Sequence, residues 1–286
     1  MKVLVTGGSG QLGSAVMARL EKLRIDALAP TSAEMDITDQ QSVMDTVTAF
    51  MPDAIIHCAA WTDVDEAEKR IADCARVNGL GTIDIVRAAE RVGAKLMYIS
   101  TDYVFGDKQE GPLPVETYVA PLNIYGMTKG QGELAVKSMM KRYFIVRCSW
   151  IYSETKGFVT TIQRLAQGRG PLRVVDDQVG SPTYARDLAV LLCDMIRTEK
   201  YGVYGASAEG SCSWYTFAQR IVERSGLRCR VQPVSSEDYG ARARRPKESR
   251  LDKTALDRAG FVRLPDWQDG LERCLMAQRE AEPVDK

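Results

Sequence analysis

Histidine is almost absent from this chain of 286 residues, in which His57 is the only one. The seven cysteines form no C-x-x-C pair and their number is odd, so a zinc site is not expected. Reduced thiols in a reducing compartment fit this cysteine pattern. His57 stands in an apolar run and is expected to pack or to bond the backbone. Catalysis of the Ser-His-Asp or Cys-His type is therefore not expected.

An excess of charge and long apolar runs are also missing. Lys plus Arg and Asp plus Glu each number 38, and the pI is about 6.6, so neither a nucleic acid nor an anionic membrane is an expected partner. No apolar run approaches the roughly 20 residues that span a bilayer. The first apolar run, 3–5, ends at once in glycines and is no signal peptide. The expected location is the cytoplasm.

Short β-rich runs alternate with helix-length segments through the first half of the chain. Repeated βαβ units indicate a parallel sheet with helices on both faces. The predicted fold is α/β, a Rossmann-type doubly wound parallel sheet with a smaller C-terminal substrate-binding domain. The predicted domains are 1–149 and 150–286, and 176–206 is expected to return to the first. The main predicted strands are 2–5, 54–58, 95–100 and 144–148, and the main predicted helices are 12–23, 124–143 and 185–197.

Three glycines follow the first predicted strand. Gly7, Gly10 and Gly13 form a G-x-x-G-x-x-G pattern in the segment TGGSGQLG, which also holds Gln11 and Leu12. Glycines allow a tight turn and let the backbone approach a pyrophosphate that rests on helix N-terminal amides. A glycine-rich loop alone is weak evidence. Its place between a strand and an amphipathic helix predicts a dinucleotide site rather than a plain turn.

The end of the second predicted strand, near 25–29, bears on the type of dinucleotide. A site that prefers NAD places Asp or Glu there for the ribose hydroxyls, whereas this strand runs into Thr31 and Ser32. Their hydroxyls can accept a 2′-phosphate, so NADPH is expected. NADH stays an alternative, because no arginine stands ready for the phosphate. Asp36 and Ile37 are placed to contact adenine, although capping of the next helix explains them nearly as well.

Small and hydroxyl-bearing residues follow two further strands. Ala59, Ala60 and Thr62 come after the strand that contains His57, at the edge where ligands approach open α/β sheets. Thr101 follows the next strand. Its hydroxyl can bond a substrate carbonyl, with turn capping as the alternative role.

The spacing Tyr-x-x-x-Lys occurs twice. On a helix, residues i and i+4 share one face, and an ammonium beside a phenol favours the phenolate, which equips the tyrosine to exchange a proton with a substrate oxygen. Tyr125 and Lys129 begin a predicted helix between two strands. Tyr152 follows a strand directly, and Lys156 precedes a glycine that interrupts any helix. The first pair is therefore the predicted site.

These motifs together resemble the extended short-chain dehydrogenase/reductase family, and in particular its members that act on sugar nucleotides. The resemblance implies that NADPH or NADH reduces the 4-keto group of a dTDP-sugar, dTDP-4-dehydro-β-L-rhamnose. The matching segments cover nearly the whole chain: TGGSGQLG at the start, MDITD at 35–39, CAAWTDVDEAE at 58–68, VN at 77–78, STDYVF at 100–105, PLNIYGMTKGQGE at 121–133, RCSWIY at 147–152, DQVGSPTYARDLA at 177–189 and RRPKESRLD at 244–252.

The resemblance also implies catalytic roles for three residues. Tyr125 protonates the alkoxide that forms on reduction, and Thr101 orients the carbonyl. Lys129 lowers the pKa of the tyrosine and binds the nicotinamide ribose. These roles agree with the reading of the residues themselves.

Three further residues are implied to meet the substrate. Asp102 lies beside the sugar, and Trp150 shapes the hexose pocket, with core packing as its alternative role. Arg245 is the candidate for the nucleotide diphosphate, with a solvated basic loop as the alternative. Some relatives are thought to form dimers through a Mg²⁺ site, but no cluster of acids indicates one here. A monomer and a homodimer both stay open.

The same residues distinguish this function from three alternatives. Sugar-nucleotide 4,6-dehydratases typically carry Asp-Glu after the threonine, whereas Asp102 is followed by Tyr103 here, so elimination is disfavoured. A non-catalytic NADP-binding subunit, like the regulatory subunit of methionine adenosyltransferase, would not need Thr101, Tyr125 and Lys129. Reduction of another 4-keto sugar nucleotide is the third alternative.

Overall fold

The computed structural model describes residues 1–107, 111–168 and 170–281. The chain contains a π-helical turn at Arg76–Leu80 and a 3₁₀ turn at Asp102–Val104. The strands of these ranges are β1 (Lys2–Thr6), β2 (Asp26–Leu28), β3 (Ala54–His57), β4 (Lys95–Thr101), β5 (Tyr143–Cys148), β6 (Ile151–Tyr152), β7 (Leu172–Val175), β8 (Val179–Gly180), β9 (Thr183–Tyr184), β10 (Gly202–Gly205), β11 (Cys212–Ser213) and β12 (Val231–Val234). The helices are α1 (Gln11–Lys22), α2 (Gln40–Phe50), α3 (Val64–Ala67), α4 (Ile71–Ala75), α5 (Gly81–Val92), α6 (Ile124–Met139), α7 (Phe158–Ala166), α8 (Ala185–Ile196), α9 (Trp214–Arg224), α10 (Ser236–Tyr239), α11 (Thr254–Ala259) and α12 (Trp267–Ala281).

One six-stranded parallel sheet organises the first half of the chain. Its strand order is β2-β1-β3-β4-β5-β10. The order reverses beside β1, because the chain runs to one side for β2 and to the other from β3 onward. Ligands of open α/β sheets bind outside the carboxyl ends of the strands at such a reversal. The predicted Rossmann-type α/β fold is confirmed.

The sheet is buried on both faces, which explains the continuous apolar runs of its central strands. Along β1, the side chains of Val3 and Val5 join the core formed with α1 and α8. Leu4 points to the opposite face and joins the core formed with α2 and α5. This alternation is the period of two expected of a strand.

A second hydrophobic core lies in the C-terminal half. It is built from aromatic and aliphatic residues of α7, α9 and α12, with Phe217 and Trp267 among them. The segment that precedes α9 also contributes to the first half, since α8 packs on α1 and β10 pairs with β5. The proposed boundaries 1–149 and 150–286 stay a prediction.

One expectation about local structure differs from the observed elements. The predicted helix 124–143 is too long, because Met140 already adopts an extended conformation (φ −117°, ψ 147°) and β5 begins at Tyr143. The polar segment 235–250 contains the short helix α10, which Ser235 caps. A helix of one turn without an apolar stripe leaves no periodic signal in the sequence. No helix within the described ranges is long and apolar enough to cross a bilayer.

Candidate active site

A cavity of about 720 Å³ opens at the carboxyl ends of the sheet strands. It contains every predicted site residue except Arg245, which lines a neighbouring cavity. The predicted residues that line the first cavity are Gly7, Gly10, Gln11, Leu12, Gly13, Asp36, Ile37, Ala59, Ala60, Thr62, Thr101, Asp102, Tyr125, Lys129 and Trp150.

The glycine loop allows its backbone to lie close to neighbouring segments of the chain. Gly7 has a φ of +67°, and a Cβ there would lie 2.7 Å from the backbone nitrogen of Ala59. A Cβ on Gly13 would lie 2.1 Å from the carbonyl oxygen of Gly7. Helix α1 begins directly after Gly10, with no side-chain cap and no acidic residue in its first turn. Its amides are therefore open to an anion.

Acidic side chains border the far end of this cavity. Asp36 accepts hydrogen bonds from the amide and hydroxyl of Thr38, both at 2.8 Å, whereas the cap of α2 is Asp39. Capping of α2 therefore does not account for Asp36. The Thr31 hydroxyl donates to Glu34 Oε2 at 2.9 Å. A hydroxyl expected to meet a 2′-phosphate is thus already bonded to a carboxylate.

Thr101 and Asp102 are two adjacent polar residues at the end of β4. The Thr101 hydroxyl donates to Asp102 Oδ1 at 3.1 Å and accepts from the Tyr103 amide at 3.1 Å. The Asp102 side chain is buried, and burial raises the pKa of its carboxyl to about 7. Its Oδ2 has no hydrogen-bond partner among the described residues. This oxygen is itself enclosed by the protein, so it is the rest of the Asp102 residue that lines the cavity.

Tyr125 stands in the first turn of α6, which Asn123 caps by accepting from the Gly126 amide at 2.8 Å. Its ring meets Tyr103 edge to face, with centroids 6.0 Å apart. Burial and the charge of Asp102 raise the pKa of the Tyr125 phenol, against a smaller lowering by hydrogen bonding with Thr101. The lowered pKa expected of this tyrosine is therefore not found in the protein without ligands, because burial and the charge of Asp102 raise it.

Lys129 lies one helical turn beyond Tyr125 and is buried. Its Nζ sits 4.1 Å from the centre of the Tyr98 ring, whose hydroxyl donates to the Lys129 carbonyl at 3.1 Å. Burial lowers the pKa of Lys129 to about 8, although the charge of Glu133 opposes this shift. The ammonium therefore titrates close to neutral pH, as acid–base residues of active sites do.

His57 is a structural residue of this site. It is buried, and its Nδ1 and Nε2 lie 2.6 Å and 3.2 Å from the hydroxyls of Thr6 and Thr82. Burial lowers its pKa to about 3, so the ring is neutral at physiological pH. The predicted packing role is confirmed, whereas the ring bonds side-chain hydroxyls and not the backbone.

Several residues of the cavity escaped the sequence reasoning. Cys58 and Cys148 line it at the ends of β3 and β5, a position that the strand boundaries could have indicated. Trp214 also lines it, although the aromatic residue begins a helix far along the chain. No local pattern marks such a long-range contact.

The neighbouring cavity, of about 610 Å³, is rich in cations. Arg245 donates from Nη2 to Asp65 Oδ2 at 2.6 Å, so its charge is compensated. Arg173 and Arg242 form no ion pair with any described residue. The basic residues that line this cavity are Arg173, Arg242, Arg244, Arg245 and Lys247.

No group of three His, Cys, Asp or Glu side chains is placed to hold a metal ion in the parts of the chain that the structure describes. The parallel sheet is that of a doubly wound α/β protein, and the glycine loop after β1 is typical of Rossmann-type nucleotide binding. The Tyr125–Lys129 pair beside Thr101 adds the site pattern of a short-chain dehydrogenase/reductase. Fold and site together thus define the class as that of the short-chain dehydrogenases/reductases.

Comparison with known proteins identifies the family. The model of the RmlD substrate binding domain matches residues 1–280. The chain therefore belongs to the RmlD substrate binding domain family, and the resemblance indicated by its motifs is confirmed. The spore coat polysaccharide biosynthesis protein SpsK of Bacillus subtilis (strain 168) is 38% identical over 281 residues, which cover 98% of this chain and 99% of SpsK.

Two dTDP-4-dehydrorhamnose reductases are similar over almost their whole length. The protein from Aggregatibacter actinomycetemcomitans is 35% identical over 288 residues, covering 95% of this chain and 97% of that protein. The crystal structure from Bacillus anthracis str. Ames, in complex with NADP, has a TM-score of 0.94 and 42% identity. It covers 96% of this chain and 99% of that one.

Proposed function

We propose that the protein reduces the 4-keto group of dTDP-4-dehydro-β-L-rhamnose to give dTDP-β-L-rhamnose, with NADPH as cofactor. The observation that carries the proposal is the presence of Thr101, Tyr125 and Lys129 in the cavity that the glycine loop borders. The two similar reductases support it, because the match extends over nearly all of both chains.

The residues of the cavity fit a dinucleotide. A Cβ on Gly7 or Gly13 would fill the space beside the glycine loop, and the open amides of α1 suit a pyrophosphate. Ala59 and Ala60 leave room along the end of β3, and Ile37 offers an apolar contact for adenine. When bound, the reduced nicotinamide supplies a hydride to the carbonyl carbon.

The adenosine end of the cavity accommodates both forms of the cofactor. Of the described residues that line the cavity, Lys129 is the only Lys or Arg, so a 2′-phosphate would meet hydroxyls and amides rather than a cation. The Ser32 hydroxyl is exposed for this contact, while Thr31 is bonded to Glu34. NADPH is the proposed cofactor, and NADH is expected to be accepted as well.

The chain supplies the proton. Tyr125 donates its phenolic proton to the substrate oxygen that becomes negatively charged on reduction, and a proton from solvent later restores the phenol. The Thr101 hydroxyl orients the carbonyl by a hydrogen bond. The Lys129 ammonium favours the tyrosinate that remains and contacts the nicotinamide ribose.

The sugar nucleotide would extend from the first cavity into the second. Asp102 would lie beside the sugar, as Trp150 would, because both line the first cavity. The cations of the second cavity suit a diphosphate. Arg245 stays a candidate ligand, but its pairing with Asp65 leaves Arg173 and Arg242 as the cations with more charge to offer.

The direct test is an assay with pure dTDP-4-dehydro-β-L-rhamnose. Purified protein should oxidise NADPH in proportion to the dTDP-β-L-rhamnose formed, as measured by absorbance and by NMR. No turnover, with NADPH still bound, would contradict the proposal and favour the non-catalytic subunit. Turnover of a different dTDP-linked 4-keto sugar alone would keep the chemistry and change the substrate.

We also propose that the protein acts in the cytoplasm, as a monomer or a homodimer. All seven cysteines are free in the structure, and five of them are buried, which suits a reducing compartment. Gel filtration with light scattering distinguishes the two assembly states.

A further inference from the structure

Trp214 is the one aromatic residue, among those the structure describes, that lines both cavities. It opens α9, and its indole is partly exposed, whereas the Phe217 ring one turn further is buried in the second core. A substrate that reaches from the sugar end to the nucleotide end has to pass this side chain. No motif of the sequence pointed to it.

The neighbouring Trp150 adopts a conformation that needs support. Its φ is +48°, a left-handed value that is a true outlier for a bulky residue and that strains the backbone. Its indole lies against Gly180, where a Cβ would come within 2.5 Å of Trp150 Cε2. A residue in such a conformation persists only where its surroundings hold it.

Trp214 supplies part of that support. The two indoles are stacked, with centroids 3.6 Å apart and an interplanar angle of 11°. Trp214 is itself fixed, because Ser213 caps α9 through the Thr216 amide and donates to Asp176 at 2.5 Å. The Phe158 ring also packs against Trp214, with the ring centroids 4.5 Å apart.

We infer that Trp214 is a positioning residue, which holds Trp150 at the junction of the two cavities and thereby fixes the sugar relative to Tyr125. The inference rests on the proposed function for its kinetic consequence. Its consequence for binding does not depend on turnover. Because an error of about 1 Å in placement can cost roughly 100-fold in rate, loss of the stack should be visible in catalysis.

The test compares Trp214→Leu with Trp267→Leu. Both substitutions remove an indole from the C-terminal half, but Trp267 is buried and lines neither cavity in the described residues. Trp214→Leu should abolish the exciton-coupled circular dichroism of the stacked indoles. It should weaken binding of dTDP-β-L-rhamnose by about tenfold, the equivalent of about 1.4 kcal/mol, and leave the NADPH dissociation constant unchanged.

Turnover and rescue complete the test. The kcat/KM of Trp214→Leu should fall by about 10–100-fold, and Trp214→Phe should recover much of it. Trp267→Leu should lower the melting temperature without changing binding of either ligand. Normal dTDP-β-L-rhamnose binding in folded Trp214→Leu, or an equal loss in Trp267→Leu, overturns the inference. If wild type lacks turnover, the proposed function fails, while the dichroism and binding results still decide the role of Trp214.

Discussion

The same four-residue spacing produces two unrelated environments in this molecule. Tyr125 and Lys129 lie on one helix and line one cavity. Tyr152 ends the short strand β6, where it is fully buried between aromatic rings, and its hydroxyl has no hydrogen-bond partner among the described residues. Lys156 is exposed and donates to the carbonyl of Ser9 in the glycine loop, at 3.2 Å. A sequence spacing becomes a site only when one helix carries both residues.

The two tyrosines differ in access more than in acidity. Burial raises the pKa of both phenols, so a lowered pKa does not distinguish the functional one. Tyr125 has Thr101 and Asp102 beside it in the lining of an open cavity. Tyr152 faces Tyr184 and Phe217. The difference lies in what a ligand can reach.

The largest effect should come from removing the Tyr125 hydroxyl. Tyr125→Phe is expected to lower turnover by about 10²–10⁴-fold, the usual contribution of a positioned proton donor, while NADPH binding is retained. Steady-state kinetics and cofactor titration measure the two quantities. Tyr152→Phe is the matched control, and its turnover should equal that of wild type. Comparable losses in both variants would remove the distinction between the pairs.

Much of the Tyr125 environment was predictable from the sequence, because it depends on local order. The glycine loop, Thr101 and the Tyr125–Lys129 pair each follow a strand or open a helix, and parallel strands bring their carboxyl ends to one edge. The role of Trp214 was not predictable, since it depends on how the C-terminal half folds back. The net pKa of Tyr125 also depends on burial, which spacing does not report.

The anchoring of α6 separates the two pairs further. Glu133, on α6, forms two hydrogen bonds with Arg147 of β5, at 2.8 Å and 2.7 Å, and both side chains are only 1% exposed. Ser100 of β4 donates to the same carboxylate at 2.7 Å. Burial alone would raise the pKa of Glu133, but Arg147, Ser100 and Lys137 together outweigh burial and the pKa is lowered. The helix that carries Tyr125 is thereby tied to two strands.

Breaking this anchor is the second prediction. Glu133→Gln should lower the free energy of unfolding by about 3–5 kcal/mol, because it leaves the Arg147 charge buried and unpaired. Urea denaturation measures the change. The double variant Glu133→Met with Arg147→Met should recover most of the loss, since apolar pairs often replace buried ion pairs without cost. A Glu133→Gln variant as stable as wild type would show that α6 needs no such anchor.

The third prediction concerns pH and Lys129, whose pKa burial lowers from 10.5 to about 8. Between these values the unfolded chain binds more protons than the folded one. The cost of the buried ammonium is therefore full below pH 8 and is relieved as pH rises toward 10.5. Turnover that needs the ammonium should instead fall above pH 8. Stability and kcat/KM should therefore diverge on the alkaline side.

Two lysine variants sharpen this test. In Lys129→Met the free energy of unfolding should rise less with pH than in wild type. Lys156→Met should keep the wild-type pH profile, because Lys156 is exposed. The difference between the two variants isolates the contribution of Lys129. Identical alkaline profiles in wild type and Lys129→Met would contradict the assignment.

The smallest effect should come from Tyr152→Phe, measured as stability instead of turnover. Its hydroxyl is buried without a partner among the described residues, and an unsatisfied buried polar group costs about 1–3 kcal/mol. Removing it while keeping the ring that packs on Tyr184 and Phe217 should raise the free energy of unfolding by about 1 kcal/mol. A loss of stability would mean that the hydroxyl is bonded in solution. Tyr125→Phe changes a position that faces the open cavity and should alter stability less. Tyr125→Phe is therefore expected to have the larger effect on activity, and Tyr152→Phe the larger effect on stability.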